Sequence, residues 1–282
     1  MKLTKPNADV YVPDNLHLAE AAARTTHLGI GAHQDDLEFM AFHGIEACHG
    51  HADRWFGGVT CTNGAGSPRA GVYAAVSDAE MQAIRRGEQR AAAIVGRYAI
   101  MIQLGYGSAA LKQPVEAGPT DDLAAILGAA RPQAVYTHNP ADKHDTHVAV
   151  AMRVIRALRR LPAEARPAAV YGCEVWRDLD WLPDARKQVL DVSAREHLAA
   201  AVSGVFDSQI AGGKRYDLAT LGRRRANATF LESHGVDTAT GVTLAMDLRP
   251  LVDDPALRPA DYVAGLIEAF AADVRSKLAP WM

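Results

Sequence analysis

Cysteine is scarce. Three residues in 282, Cys48, Cys61 and Cys173, offer neither a Cys-x-x-Cys spacing nor an even disulfide framework. Cys61 and Cys173 fall in expected strands, where a buried reduced thiol is the ordinary state, and a reducing compartment fits. No apolar run approaches the length needed to span a bilayer. Met1 to Asp14 is polar and contains Lys2, Lys5, Pro6 and Pro13, unlike a secretory leader, so a cytoplasmic location is expected. Neither sign of charge dominates. Thirty Lys and Arg against 33 Asp and Glu leave a net charge of −3, which gives no nucleic-acid footprint and no membrane-surface patch. The basic pairs Arg159-Arg160 and Arg224-Arg225 read as solvated helix faces. Phosphate-cradling glycine motifs are also missing. The turn Gly31-Ala32-His33-Gln34-Asp35-Asp36 is not Gly-x-Gly-x-x-Gly, and the Gly-rich loop Asn63–Arg69 lacks a Gly-Lys-Ser/Thr ending. There are no internal repeats.

What is present is a 49% hydrophobic chain, enough for one large core or a core with an appendage. Apolar runs predict strands over His27–Ala32, Trp55–Thr62, Tyr98–Leu104, Gln133–Thr137 and Ala168–Val175. Gln188–Val192 reads as an edge strand and Val242–Met246 as a last strand. Helices alternate with them. One runs from Leu37 to about His49, and one over Ser77–Gly96 opens on a Ser77/Glu80 capping box. Others cover Asp121–Ala130, Val148 to about Arg160, Ser193–Val205 (Ser193 as cap, Glu196 completing the box), Leu218–Glu232 and Tyr262–Leu278. Strands alternating with helices predict an α/β fold.

Chemistry gathers at two strand ends. His33, Asp35 and Asp36 follow the first strand, where a His and a carboxylate three residues apart can face one ion and the remaining Asp can act on a metal-bound water. A capped helix start is the competing reading for this stretch alone. The second group follows the fourth strand: Asp142, His144, Asp145 and His147. The two histidines, three apart, share a helix face, so one can bind a metal while the other works in catalysis, each oriented by a carboxylate. Two such clusters are hard to explain as two caps. Arg69 is the one strong anion or hydroxyl binder of the Gly-rich loop and a candidate substrate contact. Glu174 and Trp176, past the fifth strand, either contact a polar ring such as a sugar or form an ordinary strand-end turn. Arg85 and Glu88 read as a structural i,i+3 pair.

Ala32-His33-Gln34-Asp35-Asp36 resembles the Ala-His-Pro-Asp-Asp signature of the PIG-L/LmbE family of zinc-dependent N-acetyl hydrolases. Asp142-Lys143-His144-Asp145-Thr146-His147 resembles the second signature of that family, Asp-x-His-Pro-Asp-His. Thr62-Asn63-Gly64 resembles its Thr-Asp-Gly turn, and Arg85, Glu88 and Ser208-Gln209 are similar to further family positions. The resemblance covers about residues 27–150. It implies a Rossmann-like three-layer α/β fold with a mainly parallel sheet flanked by helices. It implies zinc ligands His33, Asp36 and His147 with an open position for water. Asp35 is then the general base, and His144, held by Asp142, the general acid or oxyanion stabiliser. The sequence departs from the family at Gln34, at Asp145-Thr146, and at Leu104–Gly107, which lacks an Asp that often helps bind the sugar.

The expectation is therefore one domain over 1–282, with a core at about 25–205 and a C-terminal elaboration at about 206–282. Its function is zinc-dependent removal of an N-acetyl group from a small molecule containing an amino sugar. Arg69, Glu174, Trp176 and the Asp207–Lys214 loop form the rim. The alternatives are metal-dependent hydrolysis of another amide, an ester or a phosphoester, and a non-catalytic carbohydrate-binding homologue. His and Asp donors also accept iron(II) or another divalent ion. The expected partner is the small-molecule substrate alone, and a homo-oligomer is left open.

Overall fold

The computed structural model describes residues 1–282. In chain order the elements are β1 (Asp9–Tyr11), α1 (Leu18–Ala23), β2 (His27–Gly31), α2 (Asp36–Met40), α3 (Phe42–Cys48), β3 (Phe56–Thr62), α4 (Asp78–Val95), β4 (Ile100–Tyr106), α5 (Ser108–Leu111), α6 (Gly118–Ala130), β5 (Ala134–His138) and α7 (Asp145–Arg159). There follow β6 (Ala169–Cys173), β7 (Lys187–Asp191), α8 (Glu196–Gly204), α9 (Asp207–Ile210), α10 (Tyr216–Thr229), β8 (Val242–Asp247), α11 (Arg249–Asp253) and α12 (Pro259–Leu278).

The strands form one eight-stranded sheet in the order β1-β4-β3-β2-β5-β6-β8-β7. Its centre, β4-β3-β2-β5-β6, is parallel. β1 adds antiparallel to β4 at one side, and β8 and β7 add antiparallel beyond β6 at the other. The chain winds from β2 outward through β3 and β4. It then returns through α6 to place β5 on the opposite flank of β2. The two directions part between β2 and β5, and a crevice opens beyond the carboxyl ends of these strands.

Period-2 side-chain alternation sorts the core into two layers. Leu28, Ile30, Ile100, Ile102 and Val135 point to a core shared with Ala21 of α1, Leu123 and Leu127 of α6 and Val150 and Val154 of α7. Ala134, Tyr136 and Met101 point to the other, shared with Leu37, Phe42 and Ile45 of α2 and α3, Ala93 of α4 and Val202 of α8. Both sheet faces are therefore covered, which gives the three-layer Rossmann-like arrangement.

Most expected elements are present with shifted ends, and the Ser77–Glu80 capping box is made. Four local expectations are corrected. The helix expected over 37–49 is two, α2 and α3, parted at Ala41, whose ψ of 16° leaves the helical range. Ser193 does not cap α8, because its hydroxyl donates to Asp191 and accepts the Thr240 and Gly241 N–H groups. Arg224 is no solvated face: it is buried, and its guanidinium donates to the Glu38 and Phe39 carbonyls of α2. Arg159 likewise serves carbonyls, those of Leu251, Asp254 and Leu257. The segment after residue 205 supplies β8, which lies inside the sheet between β6 and β7. No helix is long and apolar enough to cross a membrane.

Candidate metal and catalytic site

The turn that leaves β2 is shaped by two requirements. Gly31 has to be a glycine, because a Cβ there would lie 2.9 Å from the Cβ of Asp36. Asp35 holds φ +94°, a backbone conformation that costs a non-glycine residue roughly 1–3 kcal/mol. Helix α4 holds this turn in place. Gln89 accepts the Asp35 N–H at 3.2 Å, and one turn earlier Arg85 donates to the Gln34 carbonyl and lies 3.3 Å from the Asp35 carboxylate. Arg85 therefore serves the site rather than pairing with Glu88, which accepts instead from the backbone and hydroxyl of Ser208 at 2.7 Å each. Gln34 donates to the Thr62 carbonyl and to Gln103, so it packs inward beneath the turn.

Three side chains from the two strand ends converge. His33 Nδ1 lies 3.2 Å from His147 Nε2 and 3.3 Å from one oxygen of Asp36, whose other oxygen lies 3.5 Å from His147 Nε2. Donors around a tetrahedral zinc at about 2.0–2.2 Å stand roughly 3.3–3.5 Å apart, so the separations and the donor chemistry both suit such an ion. Two overlapping groups with metal-compatible spacing share His147: one adds His33 and His144, the other Asp36 and His138.

Hydrogen bonding separates the histidines. His147 Nδ1 faces Asp142 at 3.5 Å, which directs the ring proton there and leaves Nε2 free as a donor atom. His144 Nδ1 accepts the Thr146 N–H at 3.2 Å, so the neutral ring carries its proton on Nε2. Burial, with His147 and His33 nearby, lowers its pKa and keeps the ring neutral. The expectation that Asp142 holds the His144 ring is corrected. Asp142 accepts that residue's backbone N–H at 3.1 Å instead and turns its side chain to His147.

Sequence reasoning missed His138, the last residue of β5. It is fully buried, its ring stacks on His147 at 3.8 Å, and its Nε2 accepts the Ala32 N–H at 2.9 Å while lying 3.3 Å from Asp36. Its Nδ1 has no partner. Burial, reinforced by His147, lowers its pKa to about 4. The only sequence signal was its position at a strand end just ahead of the second cluster.

The carboxyls differ in state. Burial would raise Asp36, but His147 and His138 hold it well below the usual range. Burial drives Asp35 up, to about 8, with Arg85 pulling down and Asp36 pushing up. Adjacent carboxyls with diverging proton affinities suit one holding role and one proton-handling role.

His33, Asp35, Asp36 and His144 line a polar cavity of about 480 Å³ whose walls also include Arg85, Lys112, Trp176, Lys214 and Tyr216. A second, more apolar cavity of about 430 Å³ between α8 and α10 holds none of the convergent groups. The remaining candidates divide. Trp176 is at the site, its ring 6.1 Å from His144 and its N–H donating to Asp142. Arg69 is not brought to the cavity: it closes on Asp78 at 2.6 Å and on the Ala65 carbonyl, because its loop folds back onto the start of α4. Glu174 is also elsewhere, buried as an acceptor for Leu179 N–H, Leu244 N–H and Asn227, which ties β6 to β8 and α10.

Residues 28–158 match the sequence model of a family described as GlcNAc-PI de-N-acetylase, PIG-L. Over that segment the chain resembles the PIG-L/LmbE family. The matched segment runs from β2 into α7 and so contains His33, Asp35, Asp36, His138, His144 and His147, whereas Trp176, Lys214 and Tyr216 lie beyond it. The fold of this PIG-L/LmbE-like chain is similar to that of the conserved protein TT1542 from Thermus thermophilus, at 19% identity and a TM-score of 0.61, covering 83% of this chain and 99% of that one. It is also similar to N,N'-diacetylchitobiose deacetylase from Pyrococcus horikoshii (18% identity, TM-score 0.58, 77% and 82% covered). A third similar structure is the 4-carboxy-2-hydroxymuconate hydratase GalB from Pseudomonas putida KT2440 (17% identity, TM-score 0.57, 79% and 96% covered). A deacetylase and a hydratase on one fold show that function must be argued from the site. No curated protein sequence matches the chain.

Proposed function

We propose that the protein is a zinc-dependent hydrolase that removes an N-acetyl group from a small molecule containing an amino sugar. The observation that carries this reading is the convergence of His33 Nδ1, Asp36 and His147 Nε2 at 3.2–3.5 Å, at the foot of a polar cavity. Neither His33 Nδ1 nor His147 Nε2 is taken by a backbone N–H, and Asp36 has one oxygen that accepts the His33 N–H and a second that faces His147. The Ala32 N–H occupies His138 Nε2, and the Thr146 N–H occupies His144 Nδ1. A bound zinc would polarise the amide carbonyl and lower the pKa of water.

The chain's own groups do the rest. Asp35, beside the donor set and in the deprotonated form that Arg85 favours, takes the proton of the attacking water. His144 presents Nε2–H to the oxygen on which negative charge develops as the amide carbon becomes tetrahedral. The proton held by Asp35 or His144 then passes to the departing nitrogen. Asp142 keeps the His147 ring in register. A cavity of about 480 Å³ suits a small-molecule substrate.

The test is metal content and turnover together. Purified His33→Ala, Asp36→Ala and His147→Ala proteins are expected to lose stoichiometric zinc by elemental analysis and to release no acetate from N-acetylated amino sugars. Full zinc occupancy in all three sinks the ligand set. Zinc-loaded wild-type protein that hydrolyses esters or phosphoesters but no N-acetyl amide sinks the deacetylase reading.

A further inference from the structure

The cavity lining carries two lysines without a carboxylate partner. They are Lys112, just past α5, and Lys214, between α9 and α10. The chain has seven lysines. Lys187 and Lys277 close onto aspartates at 2.8 Å, but the ammonium groups of Lys112 and Lys214 meet no carboxylate. Lys214 Nζ instead sits 4.5 Å over the ring of Trp176. That ring lies 6.1 Å from the ring of His144, and the Trp176 backbone N–H donates to Asp142. One aromatic ring thus stands between the Lys214 ammonium and His144.

The carboxylates of the cavity are Asp35 and Asp36, and both are engaged, Asp35 with Arg85 and Asp36 with the histidine cluster. No further carboxylate of the lining is left to accept from the hydroxyls of a neutral sugar. The lining offers two ammonium groups in a concave surface that concentrates positive potential. An anionic ligand group supplies the missing partner, and hydrogen bonds between charged groups are roughly twice as strong as neutral ones.

We propose that Lys112 and Lys214 make the site selective for an N-acyl amine whose far end bears an anionic group, a phosphate or a carboxylate, with its carbon framework against Trp176. This rests on the hydrolase reading for the placement of the acyl end at His33 and Asp35. The lysines are specificity residues and take no part in bond cleavage.

Metal-loaded full-length protein is assayed on N-acetylglucosamine, N-acetylglucosamine 6-phosphate and N-acetylmuramic acid, which present no charge, a phosphate and a carboxylate. At least one anionic substrate is expected to exceed the neutral one in kcat/KM by about tenfold or more, and the arm that gains identifies the anion. Lys112→Ala and Lys214→Ala are each expected to shrink that preference about tenfold through KM, while Lys→Arg at either position retains it. Equal turnover of neutral and anionic substrates by the wild type, or Ala variants that leave the preference unchanged, overturns the proposal.

A second readout is independent of turnover. Calorimetric titration with glucosamine 6-phosphate is expected to show saturable binding that weakens in Lys112→Ala/Lys214→Ala and with rising salt. If no N-acyl compound is hydrolysed but this binding is seen and depends on the lysines, the hydrolase reading fails and the anion subsite stands. If binding is absent or indifferent to the lysines, the subsite fails whatever the turnover.

Discussion

The guanidinium of Arg85 lies 3.3 Å from the carboxylate of Asp35, with the two side chains only 3% and 9% exposed. The same guanidinium donates to the Gln34 carbonyl and to Ser67. One arginine on α4 therefore opposes the upward push of burial on the Asp35 pKa and holds a turn whose central residue is at φ +94°. Arg85→Met removes both supports. Breaking a buried pair by deleting one partner costs about 3–5 kcal/mol, so its urea midpoint is expected well below that of wild type. A change within a few tenths of a kcal/mol would show that the turn is self-supporting without Arg85.

Asp35→Asn keeps the shape of the side chain and removes its ability to take a proton. Turnover of an N-acetyl substrate is expected to fall by about 10²–10⁴-fold while zinc content stays at the wild-type level. The pairing of the two measurements matters. A loss of zinc along with activity would make Asp35 a support for the donor set and not a base.

His138→Phe fills the same space without ring nitrogens. The Ala32 N–H loses its acceptor, and Asp36 loses a neighbour at 3.3 Å. A buried donor left unpaired costs about 1–3 kcal/mol. Loss of a group that orients a ligand weakens metal binding by roughly 10–100-fold. Denaturation curves and competition with a chromogenic chelator read these separately. Wild-type affinity in a folded variant would leave His138 as packing alone.

Glu174→Ala is expected to act on stability. Its carboxylate accepts from Leu179 N–H, Leu244 N–H and Asn227, which join β6 to β8 and α10. Leaving these buried donors unpaired costs about 1–3 kcal/mol each, before any relaxation. The variant is therefore expected to melt earlier, with KM for an N-acetyl substrate within about twofold of wild type. A raised KM at unchanged stability would return Glu174 to the substrate-contact role read from its place after a strand.

Local signals in this chain are strong wherever the chemistry is local. Apolar runs flanked by turn residues mark the central strands, and Ser77 with Glu80 marks the start of α4, because strand patterning and helix caps depend on residues a few positions apart. Ser193 with Glu196 shows the same pattern and fails, since Asp191 and the loop before β8 offer its hydroxyl partners from outside the helix. Arg224 reads in the sequence as half of a surface basic pair and is buried, because α2 presents carbonyls to it. Trp176 and Glu174 are two residues apart, yet one reaches the cavity and the other joins strands. Both lie just past β6, where the packing of β8 and α10 claims Glu174 while Asp142 claims the Trp176 backbone.

By itself the sequence determined the α/β alternation and the two clusters of His and Asp at strand ends. Both are set by the order of residue types along short stretches. Tertiary structure alone decided that β2 and β5 are neighbours, which brings His33 within 3.2 Å of His147 across 114 positions. It also decided which histidine nitrogens remain free, because those depend on the Ala32 and Thr146 N–H groups and on Asp142. It placed Lys112 and Lys214 in the lining of one cavity, from loops about a hundred residues apart that no local pattern connects. Hydrogen-bond partners and charge neighbours are properties of space, and the chain acquires them only when the sheet has closed.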